Sequence, residues 1–277
     1  MAEIMKLLSV NDLSLQNEGY FAFKHVAFSL SQNEIVGING DNGSGKTQLL
    51  EAIADNKSVD SGKIQYTPGV RIGYLPRNDP QVIEQTVRKY LEEVRRLSKK
   101  LAVRSDQLES MVTYLKLAPY LDRSISQLSL GLQRRVGFIA AVAGHPNVLL
   151  LDEPFIFQPN EIVQGMASML QDLKDNGSGI IISQTEFSSE MQLLLDQGYQ
   201  LKNGALIKSV LPKKTDYLLV FHINPNSIAI THEITPYIVK NANNLLEMRV
   251  PVNLKDIMVG KMIALNYQFE EAEEIES

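Results

Sequence analysis

Cysteine is absent from this chain. That excludes disulfides, thiol nucleophiles and thiolate metal sites, and it fits a reducing compartment. Histidine is scarce, with His25, His145, His222 and His232 the only four. No excess of positive charge exists: 27 Lys and Arg stand against 32 Asp and Glu, a net charge of −5. No global basic field advertises nucleic acid, and no nucleic-acid partner is expected. A local basic run, Arg88, Lys89, Arg95, Arg96, Lys99, Lys100 and Arg104, is interleaved with Glu92 and Glu93 at helical spacing. It reads as a solvated helix face. Long apolar runs are also missing. No stretch reaches the roughly 18 apolar residues of a spanning helix. The longest, Phe138 to Leu151, is broken by Gly144, His145, Pro146 and Asn147. The start, MAEIMKLLSV, lacks the apolar core and cleavage site of a signal peptide. Any membrane role is therefore expected to run through a partner.

What is present is an ordinary globular composition, 44% hydrophobic and 21% charged over 277 residues. It suits a sizeable core in one large domain or two unequal ones. Residues 6–37 read as short strands, with alternation at Val26–Leu30 and an apolar run at Ile35–Gly37. A helix is expected from Lys46 to about Ala54, and a strand over Arg71–Leu75 that Pro76 ends. Leu91, Val94, Leu97 and Leu101, then Leu108, Met111, Tyr114 and Leu115, recur at helical spacing. They mark a helical insert at about 78–128. Asn147–Leu151 and Ile180–Ile182 are continuous apolar runs typical of strands buried on both faces. A helix at about Glu161–Lys174 separates them. The alternation predicts an α/β fold: a mostly parallel sheet covered by helices, with an antiparallel β part before it.

Pro212-Lys213-Lys214 reads as a linker. The chain then divides into residues 1–210 and a small β-rich module at 211–277. Strands are expected at 217–223, 228–230, 245–252 and 263–267, followed by a frayed acidic end at 270–277. Met248, Met258 and Met262 read as core, since no ligand cluster accompanies them.

One motif carries chemistry directly. Gly40-Asp41-Asn42-Gly43-Ser44-Gly45-Lys46-Thr47 fits G-x-x-x-x-G-K-[ST]. The glycines let consecutive N–H groups turn inward onto an anion. The following helix adds its positive end. Lys46 can reach terminal phosphates, and the Thr47 hydroxyl can ligate Mg²⁺. ATP with Mg²⁺ is the expected ligand. Far downstream, Val148–Leu151 ends in Asp152 and Glu153. Carboxylates at the carboxyl edge of a parallel strand lie where such sheets bind ligands. Asp152 is expected in the Mg²⁺ shell, and Glu153 beside the attacking water. A plain helix cap before Pro154 is the alternative; the phosphate loop weighs against it.

These residues, together with Leu128-Ser129-Leu130-Gly131-Leu132 ahead of the acidic strand, resemble the ATPase subunit of ABC transporters over about residues 5–210. The resemblance implies a P-loop NTPase fold and ATP hydrolysis coupled to transport. It also implies a head-to-tail pair of cassettes, identical or not, beneath an integral membrane permease subunit at the cytoplasmic face. Each ATP would lie between one subunit's phosphate loop and the other's Ser129 and Gly131. The permease would dock around residues 78–118. Export is the implied direction, because Leu128–Leu132 and the appended module look like single-cassette exporter subunits. Tyr20 and Phe21 are candidates to stack on adenine, although spacing alone would put Asn17 there, and an ordinary rim aromatic is an equal alternative.

The departures matter. Arg77 occupies the family's lid-glutamine position; arginine cannot ligate a cation but can contact phosphate. Gln184 is the residue aligned with the switch histidine, a catalytic position; glutamine can hydrogen-bond the γ-phosphate but cannot carry a proton or a positive charge. Phe155–Pro159 lacks the usual aspartate. Binding residues are intact while hydrolysis-assisting ones are altered, which implies slow turnover. The rival readings are a degenerate partner in a heterodimeric ATPase, a nucleotide sensor that does not hydrolyse, and a soluble ABC protein outside transport.

Overall fold

The computed structural model describes residues 5–17, 19–77, 84–99, 102–212, 215–231, 234–242 and 244–276. Lys100, Leu101, Lys213, Lys214, His232 and Ser277 lie outside the described residues, as do positions 78–83 of the expected insert. The chain forms two compact units, residues 1–211 and 212–277.

The first unit runs β1 (Lys6–Asn17), β2 (Tyr20–Ser31), β3 (Glu34–Asn39), α1 (Lys46–Ile53), β4 (Ser61–Tyr66), β5 (Ile72–Leu75), α2 (Val87–Leu97) and α3 (Ser105–Tyr114). It continues through α4 (Leu130–Val142), β6 (Val148–Asp152), α5 (Asn160–Asp175), β7 (Gly179–Gln184), α6 (Ser189–Leu194), β8 (Gln197–Lys202) and β9 (Ala205–Ser209). One sheet has the order β2-β1-β4 and is antiparallel. The other has the order β5-β6-β7-β3-β8-β9 and is parallel except for the β8–β9 hairpin.

The apolar runs explain this sheet. Every residue of β6 is buried, as are the first five of β7. Period-two alternation sends successive side chains to opposite faces. Leu149, Leu151, Ile180 and Ile182 join Phe138, Ile139, Met166 and Leu170 from α4 and α5. Val148, Leu150 and Ile181 join Leu49 and Ile53 of α1 and Phe23 and Leu30 of the antiparallel sheet. The central strands are thus clamped between two cores, and their carboxyl ends are held rigidly.

The insert contributes α2 and α3. Three members of the basic run carry exposed ion pairs: Arg88 with Asp122, Arg96 with Glu93, and Arg104 with Asp106.

The second unit runs β10 (Thr215–His222), β11 (Ile238–Ala242), β12 (Leu245–Pro251), α7 (Lys255–Ala264) and β13 (Gln268–Glu276). Its antiparallel sheet has the order β11-β12-β10-β13. This is the strand order of a split β-α-β arrangement, with one 3-10 turn at Thr235–Tyr237 where a first helix would stand. Three expectations are corrected. Residues 263–264 end helix α7 and 265–267 lead into β13; they form no strand, because Met258 and Met262, four apart, bury on the sheet with Leu219 and Met248. Residues 228–230 also form no strand; the Ile228 N–H donates to the Leu265 carbonyl. The acidic end is not frayed through Glu276, since β13 pairs along β10 from Gln268 to Glu276. Its glutamates charge an edge strand, which discourages further pairing.

Candidate nucleotide site

The site grows from the carboxyl ends of β3, β6 and β7. After β3 the chain enters the glycine loop and then α1. Gly45 caps α1 with φ +102°, a left-handed conformation. A Cβ there would stand 2.4 Å from the Ala22 carbonyl oxygen of β2, so only glycine fits. This contact also lays the start of β2 against the loop. Tyr20 is 81% exposed and Phe21 45%, and the Lys24 ammonium lies 4.9 Å from the Phe21 ring centroid. Asn17 is the strand partner of Tyr20, so the alternatives for adenine stacking share one hairpin end.

Lys46 is buried. Its Nζ donates to the carbonyls of Gly40 at 2.6 Å and Asp41 at 3.0 Å. Burial pulls its pKa below the usual lysine range; the Glu153 and Asp152 charges oppose that, and the Arg77 charge adds to it. Thr47 lies half-buried in the first turn of α1.

Asp152 is fully buried at the end of β6. Its Oδ1 accepts from the Ser183 hydroxyl. Its Oδ2 has no hydrogen-bond partner among the described residues, and neither has the buried Ser44 Oγ or the buried Gln184 Oε1. Buried polar atoms are rarely left unpaired. Three such atoms at the ligand-binding edge of one sheet mark a place built for something polar. No group of three or more His, Asp or Glu side chains that could hold a metal occurs among the described residues. The donor set fits Mg²⁺ of the kind held by one carboxylate, one hydroxyl and phosphate oxygens.

Glu153 has φ +53° and is buried. Its N–H donates to the Ser183 carbonyl at 2.9 Å, and its Oε1 accepts from the Thr185 hydroxyl at 2.9 Å. Thr185, one residue past the singled-out Gln184, is therefore the group that reaches Glu153. The signal was the strand register: Asp152 pairs with Ser183, and Thr185 lies two residues further along in the same direction, beyond Glu153's end of β6.

A second missed residue is Arg134 of α4. Buried itself, it donates to the carbonyls of Pro76, Arg77 and Asp152, tying α4 to the ends of β5 and β6. The side chain of Arg77 donates to Asn42 Oδ1 in the loop at 2.9 Å. Ser129 caps α4, accepting from the Leu132 N–H at 3.4 Å. A Cβ on Gly131 would meet the Phe157 carbonyl oxygen at 2.6 Å. Gln158 donates to the Gly131 carbonyl and accepts from Arg135. Ser129 and Gly131 therefore belong to a packed body with the loop after Glu153. Among the described residues neither is hydrogen-bonded to the phosphate loop.

The sequence model of the ABC transporter family matches residues 23–156. An uncharacterized ABC transporter ATP-binding protein of Methanocaldococcus jannaschii is 30% identical over 68% of this chain and 72% of its own length. The chain belongs to the ABC transporter ATP-binding family. Other members similar to it include the zinc import ATP-binding protein of Paracoccus denitrificans, 35% identical over 53% of this chain. The lipopolysaccharide export ATP-binding protein of Haemophilus influenzae is 26% identical over 76% of this chain and 92% of its own length. The chain spans only 57% of the length of the Paracoccus denitrificans relative, and 60% of a zinc import ATP-binding protein of Jannaschia. Among solved structures, an ATP-binding subunit of an ABC transporter superposes with a TM-score of 0.66 at 22% identity, covering 74% of this chain and 90% of the other. A dimeric ATP-binding cassette bound to ADP and Pi gives 0.63 at 18% identity, covering 74% and 99%. These two show the ABC cassette fold, the mixed α/β P-loop architecture described above.

Proposed function

We propose that this chain is the ATP-binding subunit of an ABC transporter, binding ATP with Mg²⁺ at Gly40–Thr47 and driving a separate membrane permease subunit. The observation that carries this is the convergence of the glycine loop with the unpartnered Asp152 Oδ2 at one edge of the sheet. The backbone of Gly40, Asp41, Asn42, Gly43, Ser44 and Gly45 cradles the phosphates. Lys46 leaves its carbonyl partners for the terminal phosphates. Thr47 and Asp152 hold Mg²⁺, which neutralises phosphate charge when bound. Glu153, oriented by Thr185, aligns the water that attacks the terminal phosphorus. Tyr20 stacks on adenine. Ser129 and Gly131 face the triphosphate of a second cassette, identical or not.

No helix among the described residues is long and apolar enough to cross a membrane. The permease contact is assigned to the insert side, where β5, α2 and α4 line a cleft of about 370 Å³ that includes Tyr90, Val94 and Ala140. On this reading the chain sits peripherally at the cytoplasmic face of the membrane. Export is the assigned direction, on the resemblance of Leu128–Leu132 and the appended module to single-cassette exporters. The names of the similar proteins cover zinc import and lipopolysaccharide export alike. Purification from membranes with its companions checks the assembly, and a multi-span protein is the expected companion. Calorimetry checks the site: Lys46→Ala should abolish ATP binding, and unchanged affinity would sink the reading.

A second reading draws on two substitutions. Arg77 and Gln184 stand at the positions where the resemblance puts the family's glutamine and histidine; on this reading turnover is slow and this chain lends Ser129 and Gly131 to a competent partner. Brisk steady-state hydrolysis by the purified chain, lost in Glu153→Gln, would exclude it.

A further inference from the structure

The side chain of Arg77 has no part in the binding scheme for ATP and Mg²⁺ given above. Its backbone is fixed, because Arg134 donates to the carbonyls of both Pro76 and Arg77 from a buried position on α4. Its side chain crosses to the phosphate loop, where Nη2 meets the neutral Asn42 Oδ1 at 2.9 Å. Among the described residues no carboxylate forms an ion pair with it. A second cation, Lys46, is buried in the same loop, and among the described residues its ammonium donates to the Gly40 and Asp41 carbonyls. Two cations meet at one loop, neither bonded to a carboxylate among the described residues, and an anion placed between them is attracted by both. A guanidinium presents a planar fork suited to phosphate oxygens, and it stays charged throughout the physiological range.

The geometry points to Arg77 as a binding residue for the terminal phosphate, making the site selective for nucleoside triphosphate over diphosphate even without a divalent ion. This rests on the nucleotide reading and deepens it. Arg77 supplies fixed positive charge where a glutamine would supply a neutral amide. Part of the charge neutralisation otherwise left to Mg²⁺ is thereby built into the chain. The anchor on Pro76 and Arg77 also gives the guanidinium a short reach: it can serve the outermost phosphate beside Asn42 without moving β5.

The test is equilibrium binding of ATP and of ADP to wild type and to Arg77→Gln, each measured with Mg²⁺ and again in excess EDTA. In EDTA, Arg77→Gln should lose about tenfold or more in ATP affinity, the scale of one hydrogen bond to a charged group. ADP affinity should stay within about twofold, because ADP lacks the third phosphate that Arg77 would contact. Mg²⁺ should narrow the difference for ATP. Arg77→Lys, which keeps the charge without the fork, should retain part of the preference and guards against a folding artefact. Unchanged ATP affinity of Arg77→Gln in EDTA would overturn the assignment. So would an equal loss for ATP and ADP, or a wild type with no measurable ATP affinity in EDTA. Failure of the underlying nucleotide reading looks different: wild type would bind neither nucleotide with Mg²⁺, or Lys46→Ala would bind as wild type does.

Discussion

The phosphate loop and the acid-bearing strand ends lie at the same sheet edge yet are built differently. The loop is a backbone device: Gly45 is wedged against Ala22, and Lys46 folds onto the loop's own carbonyls. The acid side is a side-chain network in which Ser183 and Thr185 of the β7 tail brace Asp152 and Glu153. A backbone device tolerates no substitution at its glycines. A side-chain network can exchange members. Binding and turnover should therefore respond to mutation separately, and the predictions below press on that separation.

The largest effect is expected at the loop. Gly45→Ala puts a Cβ against the Ala22 carbonyl at a left-handed φ, so either β2 or the loop must shift. Destabilisation of about 2 kcal/mol or more is expected, read by urea denaturation, with ATP binding lost in calorimetry. Retained binding would show that the loop is softer than its packing implies.

Next comes Glu153→Gln. It keeps the hydrogen-bond acceptor for Thr185 but removes the negative charge that polarises water. Turnover should fall by about a hundredfold or more while ATP affinity stays within about twofold. An equal fall in both would merge the two halves of the site.

The loop was legible in the sequence because each of its positions answers to a local backbone demand. The central strands were legible because Val148–Leu151 and Ile180–Ile182 need burial on two faces. Thr185 and Arg134 were not, since their roles depend on cross-strand register and on where α4 lands, neither of which is local. The C-terminal unit misled for a related reason. Ile263–Tyr267 is a short apolar stretch that period alone cannot divide between helix and strand. The glutamates of β13 are poor strand formers by propensity, and the ladder with β10 overrides that.

A smaller effect is expected at Thr185. Thr185→Val preserves shape and removes the hydroxyl that holds Glu153. kcat should fall by about tenfold with KM unchanged, the scale of one hydrogen bond made to a charged group. Thr185→Ser should restore most of it. A rise in KM at constant kcat would place Thr185 on the binding side instead.

The smallest effect concerns the hairpin end. Tyr20 is largely exposed, and Gly45 packs against the Ala22 backbone two residues away. An exposed ring gains by covering a flat base and loses little when the base is absent, so its removal should leave stability unchanged. Tyr20→Ala should weaken ATP and ADP equally, by about fivefold, because stacking senses the base and not the phosphate tail. That symmetry separates it from the Arg77 substitution, which should discriminate between the two nucleotides. If Tyr20→Ala is silent and Phe21→Ala carries the loss, the stacking role passes one residue along β2, and Lys24 above the Phe21 ring becomes part of the adenine end. If both are silent, the base is held by something other than the hairpin, and only the phosphate half of the loop comparison survives.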